Sequence, residues 1–384
     1  IITGIILLFF GTGPIKGFAT TLIIGIVCSF FTAVYLSRLI FIWGAKSKAF
    51  QNLTFTTSLS RKMFTSSSIN FIAQRKASFA VVGIVVAVVL VSFFTRGLNQ
   101  GIDFSGGRNY IVKFEKPVST TDVLKAVQPE FPNSSVSVIT IQSSNQVRIS
   151  TNYLIDSDDP NTEKEITDKL YKSLTPFLRD GMTEDEFSTT DASQGIVQSQ
   201  KVGPSIANDM RNDAYIAVVL SLIAMFLYIL LRFRNVAFSV GALAAVSFTA
   251  FAIIGFYSLF WGILPFAMEI DQTFIAAILT VIGYQINDTV VVFDRVRENT
   301  GLYPKQDFFT TINSSINSTL GRTIMTSSST LLVLLCIFIL GGDAIRSFTF
   351  AMIFGVIIGT LATIYVAAPV AYITDSRRKR AVKA

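Results

Sequence analysis

The chain has 384 residues, of which 51% are hydrophobic and 15% charged, with a formal net charge of +7. Soluble domains average about 25% charged residues, so this composition excludes an ordinary soluble protein and points to one that crosses a membrane. Histidine is absent and there are two cysteines, Cys28 and Cys336, both in apolar runs, which excludes histidine proton shuttles, disulfide frameworks and CxxC metal sites.

The chain opens IITGIILLFF, without Met or a charged leader. It therefore does not resemble a signal peptide and reads as the interior of a longer protein. Membrane-length apolar runs follow at 17–42, 77–94, 214–231, 236–260, 273–293, about 320–340 and 348–373, with a short one at 1–10. About 20 apolar residues at 1.5 Å rise cover the hydrocarbon core. Eight helices are expected, counting the short first one.

Lys and Arg collect in alternate connections: Lys46, Lys48, Arg61, Lys62, Arg75 and Lys76; then Arg232 and Arg234; then Arg295, Arg297 and Lys305; and finally Arg377 to Arg380 with Lys383. By the positive-inside rule these loops and the C-terminus are cytoplasmic. The segment from Arg96 to Asn212 carries 12 Lys and Arg against 16 Asp and Glu, a net −4. The positive balance thus belongs to the membrane part, where it reports topology and contact with anionic lipid and not nucleic-acid binding.

That segment is the sizeable extracytoplasmic unit. Strand-like runs at 110–114, 135–142 and 146–151 and helical periodicity at 121–127 and 163–177 suggest a small α+β domain, with a ferredoxin-like arrangement as one option. It is bounded by GIDFSGG, Gly101 to Gly107, and VGPSIANDMRND, Val202 to Asp213. The glycines lack the preceding strand and following GKS/T of a phosphate loop, so they read as a turn leaving the membrane.

An internal repeat is visible at a constant offset of 330: Gly11, Ile15, Phe18, Gly25 and Tyr35 meet Gly341, Ile345, Phe348, Gly355 and Tyr365, and Lys16 meets Arg346. Such a match argues for a duplicated bundle. The expected division is 1–45, the last two helices of a first half; 46–76, a cytoplasmic linker; 77–95, the first helix of a second half; 96–212, the soluble domain; 213–374, five further helices; and 375–384, a basic tail. Gly355 and Gly359 form a GxxxG pair, and Gly25, Ser29 and Ala33 repeat small residues, a packing signature.

Two charges lie inside apolar runs. TFIAAILTVIGYQINDTVVVF, Thr273 to Phe293, contains Asp288, and Arg322 stands just before TIMTSSSTLLVLL. A carboxylate at lipid depth costs on the order of 3 kcal/mol, so Asp288 is a functional candidate unless it merely lies near the helix end. An antiparallel pair of helices puts Arg322 at similar depth, where the two can pair. Gln285 and Asn287 precede Asp288, and Thr326 and Ser329 stand at i+4 and i+7 from Arg322 as supporting polar groups. Alternatively Arg322 is a topological anchor and the Ser/Thr run helix glue. Phe308, Ile312, Ile316 and Leu320 recur every fourth residue, predicting an amphipathic helix on the interface that feeds the Arg322 helix. Asp294, Arg295, Arg297 and Glu298 read as a solvated charge cluster.

With these residues the chain resembles the SecDF family of protein-export components, within the resistance-nodulation-division superfamily. GTGPIKGF resembles the last-helix motif of SecD, GIDFSGG the motif after the first SecF helix, and GYQINDTVVVFDRVREN, Gly283 to Asn299, the most specific SecF motif; LGRTIMTSSSTLL carries what resembles the family's membrane arginine. The resemblance implies two six-helix bundles, the first truncated, in the bacterial cytoplasmic membrane. It also implies partnership with the SecYEG channel and its auxiliary membrane proteins, and unfolded preproteins as clients. Proton passage would run through Asp288 and Arg322, with a further aspartate upstream of Ile1. No cofactor, metal or enzymatic activity is expected. A proton-coupled small-molecule exporter and a non-transporting translocon scaffold are the alternatives; the single soluble domain is small for the former.

Overall fold

A computed structural model describes residues 2–10, 14–45, 50, 69–341 and 343–383, except positions 133, 135, 142, 158, 160, 190–193, 265 and 267. Gly11 of the repeat and most of the 46–76 linker lie outside the described residues.

The membrane part contains α1 (Ile2–Phe10), then α2 (Pro14–Phe31), a π-turn (Thr32–Leu36) and α3 (Ser37–Gly44) in one continuous rod. After the linker comes α4 (Arg75–Arg96). Seven helices among the described residues are long and apolar enough to cross a membrane, and they fall on the seven long runs of the sequence. The short Ile2–Phe10 helix adds the remaining run.

The soluble domain begins with α5 (Ile102–Ser105) and β1 (Gly107–Lys113), continues through α6 (Thr120–Val127), β2 (Val136–Ile141), β3 (Ser143–Thr151), α7 (Asn161–Leu174) and α8 (Glu184–Ser188), and ends in β4 (Gly195–Val202). The sheet order is β2-β3-β1-β4 with every pairing antiparallel, the β-α-β-β-α-β ferredoxin-like arrangement. Period-two alternation puts Tyr110, Val112, Val147 and Ile149 on one face, where they meet Val123 and Val127 of α6 and Ile166 and Leu170 of α7 in a closed core. The opposite face carries Asn109, Ile111 and Arg148 towards the membrane part.

One strand is absent from the sequence reading. β4, GIVQSQKV, buries its ends but exposes the middle, so an edge strand of Gln, Ser and Lys shows little alternation. The VGPSIANDMRND stretch that bounds the domain belongs mostly to a helix. With Gly203 before it and Pro204 in its first turn, α9 (Pro204–Phe233) starts well ahead of the apolar run.

The remaining helices are α10 (Val236–Phe260), α11 (Gln272–Leu302), α12 (Phe308–Leu340), α13 (Asp343–Ala362) and, after a second π-turn (Thr363–Ala367), α14 (Ala368–Lys383). Helices α10 and α11 are central, with 61% of their most apolar windows buried against 17% for α12. The expected interfacial helix is not separate. Residues 308–340 form one helix, and Ile312, Ile316 and Leu320 bury their stripe in the protein core, which satisfies it without lipid.

The segment just before α4 is held by a defined anchor. Asn317 Nδ2 donates to Ile69 O at 2.8 Å while its Oδ1 accepts from Ile69 N at 3.0 Å, and Asn313 Nδ2 donates to the same carbonyl at 3.1 Å. Phe71 and Ile72 are buried beside them, Phe71 edge-on to Tyr365 at 5.7 Å.

Candidate functional site

Helix α11 begins where Asp271 caps it, its side chain accepting from Phe274 N at 2.7 Å. Three polar residues, Gln285, Asp288 and Thr289, share one face by i, i+3 and i+4 spacing. All three are buried, Asp288 at 9% exposure. In a helix otherwise packed by Ile278, Val281, Ile282 and Val292 this is a polar seam in an apolar core.

Two helices complete it. Ser327 of α12 donates to Asp288 Oδ2 at 3.5 Å and lies 2.8 Å from Thr360 Oγ1 of α13. One turn away, Thr289 Oγ1 is 3.0 Å from Thr363 Oγ1. One turn before Asp288 on α11, Tyr284 OH is 3.0 Å from Thr330 Oγ1 of α12. Three separate hydroxyl pairs thus tie α11, α12 and the α13–π-turn segment together around one carboxyl.

The glycine pair of α13 makes this approach possible. A Cβ on Gly355 would stand 2.5 Å from Val281 Cγ2, and one on Gly359 3.3 Å from Gln285 Cγ. The GxxxG spacing therefore seats α13 directly on the polar face of α11. Gln285 is pressed beneath it, 2% exposed, and neither of its amide atoms has a hydrogen-bond partner.

The sequence-derived set divides in two. Gln285 and Asp288 meet in the seam. Asn287, Arg322, Thr326 and Ser329 are exposed, and none of the ion pairs among the described residues joins Asp288 to Arg322. Thr326 Oγ1 donates to Arg322 O at 3.0 Å and Ser329 Oγ to Thr326 O at 2.9 Å, so both hydroxyls serve their own helix. The reason is helical phase. Ser327 lies five residues after Arg322, about 140° around the helix at about 100° per residue, so the helix face that presents Ser327 to Asp288 is not the one that carries Arg322, whose charge acts on Asp288 only from a distance. Ser327, Thr360, Thr289 and Thr363 were the partners the sequence did not single out. The 294–298 cluster behaves as expected: Arg297 and Arg232 reach Asp294 at 2.7 and 3.5 Å and Arg295 reaches Glu298 at 2.7 Å, all near half exposure.

Residues 182–377 match the family described as "Protein export membrane protein SecD/SecF, C-terminal", and residues 91–118 match the SecD/SecF GG motif. The protein translocase subunit SecF of Rhodothermus marinus is 36% identical over 309 residues, covering 80% of this chain and 94% of that protein. The protein translocase subunit SecDF of Thermus thermophilus is 30% identical over 373 residues, 96% of this chain and 46% of that one. A crystal structure of SecDF from Thermus thermophilus, described as a translocon-associated membrane protein, superposes with a TM-score of 0.77 at 28% identity, covering 97% of this chain and 47% of that one. The chain therefore spans nearly the whole of a SecF and about half of a SecDF. With its motif, its soluble domain and its helices all accounted for in this way, the chain belongs to the SecD/SecF family of protein-export membrane proteins.

Proposed function

We propose that the chain is the SecF-containing half of a proton-driven Sec component in the bacterial cytoplasmic membrane. It would act with SecYEG and its auxiliary subunits on unfolded preproteins, with its basic C-terminus in the cytoplasm. The observation that carries this is Asp288, a carboxyl in the middle of a membrane bundle with the Ser327 hydroxyl as partner and, among the described residues, no ion-pair partner. Such a group takes up or gives up a proton without dismantling a structural salt bridge, and intramembrane carboxyls of this kind mark ion pathways. The Ser327–Thr360 and Thr289–Thr363 pairs are donors and acceptors at once, suited to passing a proton along a bundle interior.

In this reading the chain moves protons and does no bond chemistry of its own. Arg322 acts from the exposed side of α12, outside the seam. The scaffold alternative needs a static Asp288–Arg322 pair, which the geometry does not favour, and the single ferredoxin-like domain is small for an exporter of small molecules. The test is preprotein export into membrane vesicles containing the full-length parent protein, with and without a proton gradient. Stimulation that requires the gradient supports the reading, and equal stimulation without it overturns it.

A further inference from the structure

The soluble domain meets the membrane part at a junction that the proton seam does not use. The GIDFSGG turn binds the loop before α11: Gly101 N donates to Ile270 O at 3.1 Å and Ile270 N to Asn99 O at 2.8 Å. Asp103 Oδ2 accepts from Gln272 N at 3.2 Å. From the sheet, Arg148 of β3 crosses to Glu269, Nη2 to Oε2 at 2.8 Å, with the two side chains only 23% and 11% exposed. Space beside Gly101 is tight, since a Cβ there would lie 3.1 Å from Asp271 Cβ.

Behind the junction, between the open face of the sheet and the membrane part, lies a cleft of about 220 Å³, lined by Asn109, Arg148, Glu269, Asp271 and Ser347 among others. Asn109 Oδ1 and Arg148 Nε are buried there with no hydrogen-bond partner. The interface is thus imperfectly satisfied on the sheet side. Asp271 lies within reach of the charges of Asp103, Glu269 and Arg148.

We propose that this junction is a proton-dependent latch, which holds the soluble domain against the membrane part while Asp271 carries a proton and loosens when Asp271 ionises beside Asp103 and Glu269. The titratable and charged groups facing Asp271 are Asp103 from the turn, Glu269 from its own loop, Arg148 from β3 and Tyr257 from α10; α13 contributes the Ser347 hydroxyl to the cleft. Burial pushes the Asp271 carboxyl up from 3.8 to about 7, with the Phe274 N–H opposing, Asp103 and Glu269 adding to the rise and Arg148 opposing it. In an undocked domain, water restores the ordinary value. The docked form therefore holds an extra proton between about pH 4 and 7, so docking strengthens in acid and weakens as pH rises through that window. The extracytoplasmic side of an energised membrane is the acidic one, so the latch would sense the gradient.

The test uses the whole chain in lipid nanodiscs, with Cys28→Ser and Cys336→Ser and spin labels at Lys172→Cys on α7 and Ile263→Cys in the turn that follows α10. Both positions are well exposed, at 76% and 61%. The inter-label distance is measured by pulsed EPR from pH 4 to 9. The expected result is a single short distance in acid and a growing longer component above it, the docked-to-open ratio falling by up to about tenfold per pH unit between pH 4 and 7. Asp271→Asn keeps the helix cap but cannot ionise, so it should stay docked to pH 9. Arg148→Gln removes the bridge to Glu269 and should give a larger open component than the parent at every pH. A parent distance that does not change with pH overturns the latch, as does an Asp271→Asn protein that opens like the parent. If Asp271→Asn fails to fold, the parent titration and Arg148→Gln decide. The readout is domain separation and not export, so the latch stands or falls apart from the proton-driven reading.

Discussion

Phe18 packs edge-on against Phe348, with ring centroids 5.5 Å apart and planes at 70°. These are the same position in the two copies of the repeat, offset by 330. A residue that touches its own counterpart sits near the axis relating the copies, as in a symmetric dimer interface. The π-turns agree: Thr32–Leu36 and Thr363–Ala367 fall one residue apart once the offset is applied. Edge-to-face pairs contribute about 0.5–1.5 kcal/mol beyond area burial. A double-mutant cycle of Phe18→Ala and Phe348→Ala should therefore show coupling of that size in thermal unfolding of the purified chain, and additivity would remove the contact at the axis.

The two glycines of α13 should differ. Alanine at Gly355 must push against Val281 and Ile253, at 2.5 and 3.0 Å, whereas at Gly359 it meets only the Gln285 side chain at 3.3 Å. Overpacking costs about 1–3 kcal/mol. Gly355→Ala should lower the melting temperature clearly and Gly359→Ala little, as read by a fluorescence-based thermal shift in detergent.

In the soluble domain Arg108 is 1% exposed, its Nε on Glu163 Oε2 at 3.1 Å and its Nη1 on the carbonyls of Tyr153 and Leu154, while Tyr110 OH donates to Glu163 Oε1 at 2.8 Å. Glu163→Ala strips a partner from two buried groups at once, and each such loss costs about 1–3 kcal/mol. Expressed alone, residues 101–203 should unfold cooperatively in urea, and Glu163→Ala should lower the midpoint; an unchanged midpoint would contradict this bonding.

How much was legible follows from which interactions announce themselves locally. Membrane helices did, because a run such as Val236–Phe260 needs no partner to be recognised. Strands β1 and β3 did, because Tyr110, Val112, Val147 and Ile149 alternate. The fourth strand did not, since Gln198, Gln200 and Lys201 face water or the cleft and break the pattern. Asp288 stood out as a charge in an apolar run, but its partner did not. In the run Thr326 to Thr330 every residue is a hydroxyl, and only the rotation of α12 selects Ser327. The Asp103–Asp271 junction joins residues far apart in sequence, each an ordinary turn or cap residue on its own.

The linker anchor is a further check. Asn317→Ala removes both hydrogen bonds from its amide to Ile69, so the segment before α4 should become more open to trypsin at Arg75 and Lys76. Protection unchanged from the parent would show that Phe71 and Ile72 hold it without the amide.

Arg322 separates a working charge from a structural one. It is exposed and makes no ion pair with Asp288, so Arg322→Ala should shift stability by no more than about 0.5 kcal/mol, the range of ordinary surface substitutions. Loss of gradient-dependent export at normal stability would place its role in coupling. Arg322→Lys, which keeps charge but not the planar fork, should also impair export.

The most direct measurement is gradient-dependent preprotein export by Asp288→Asn in the full-length parent protein, with abundance quantified in the same membranes. Asn matches the neutral acid in shape, can still accept from Ser327, and lightens insertion by removing a charge from lipid depth. The proton-driven account predicts normal abundance with the gradient-stimulated part of export lost, and partial retention by Asp288→Glu. Full gradient-stimulated export by a normally abundant Asp288→Asn protein would contradict it.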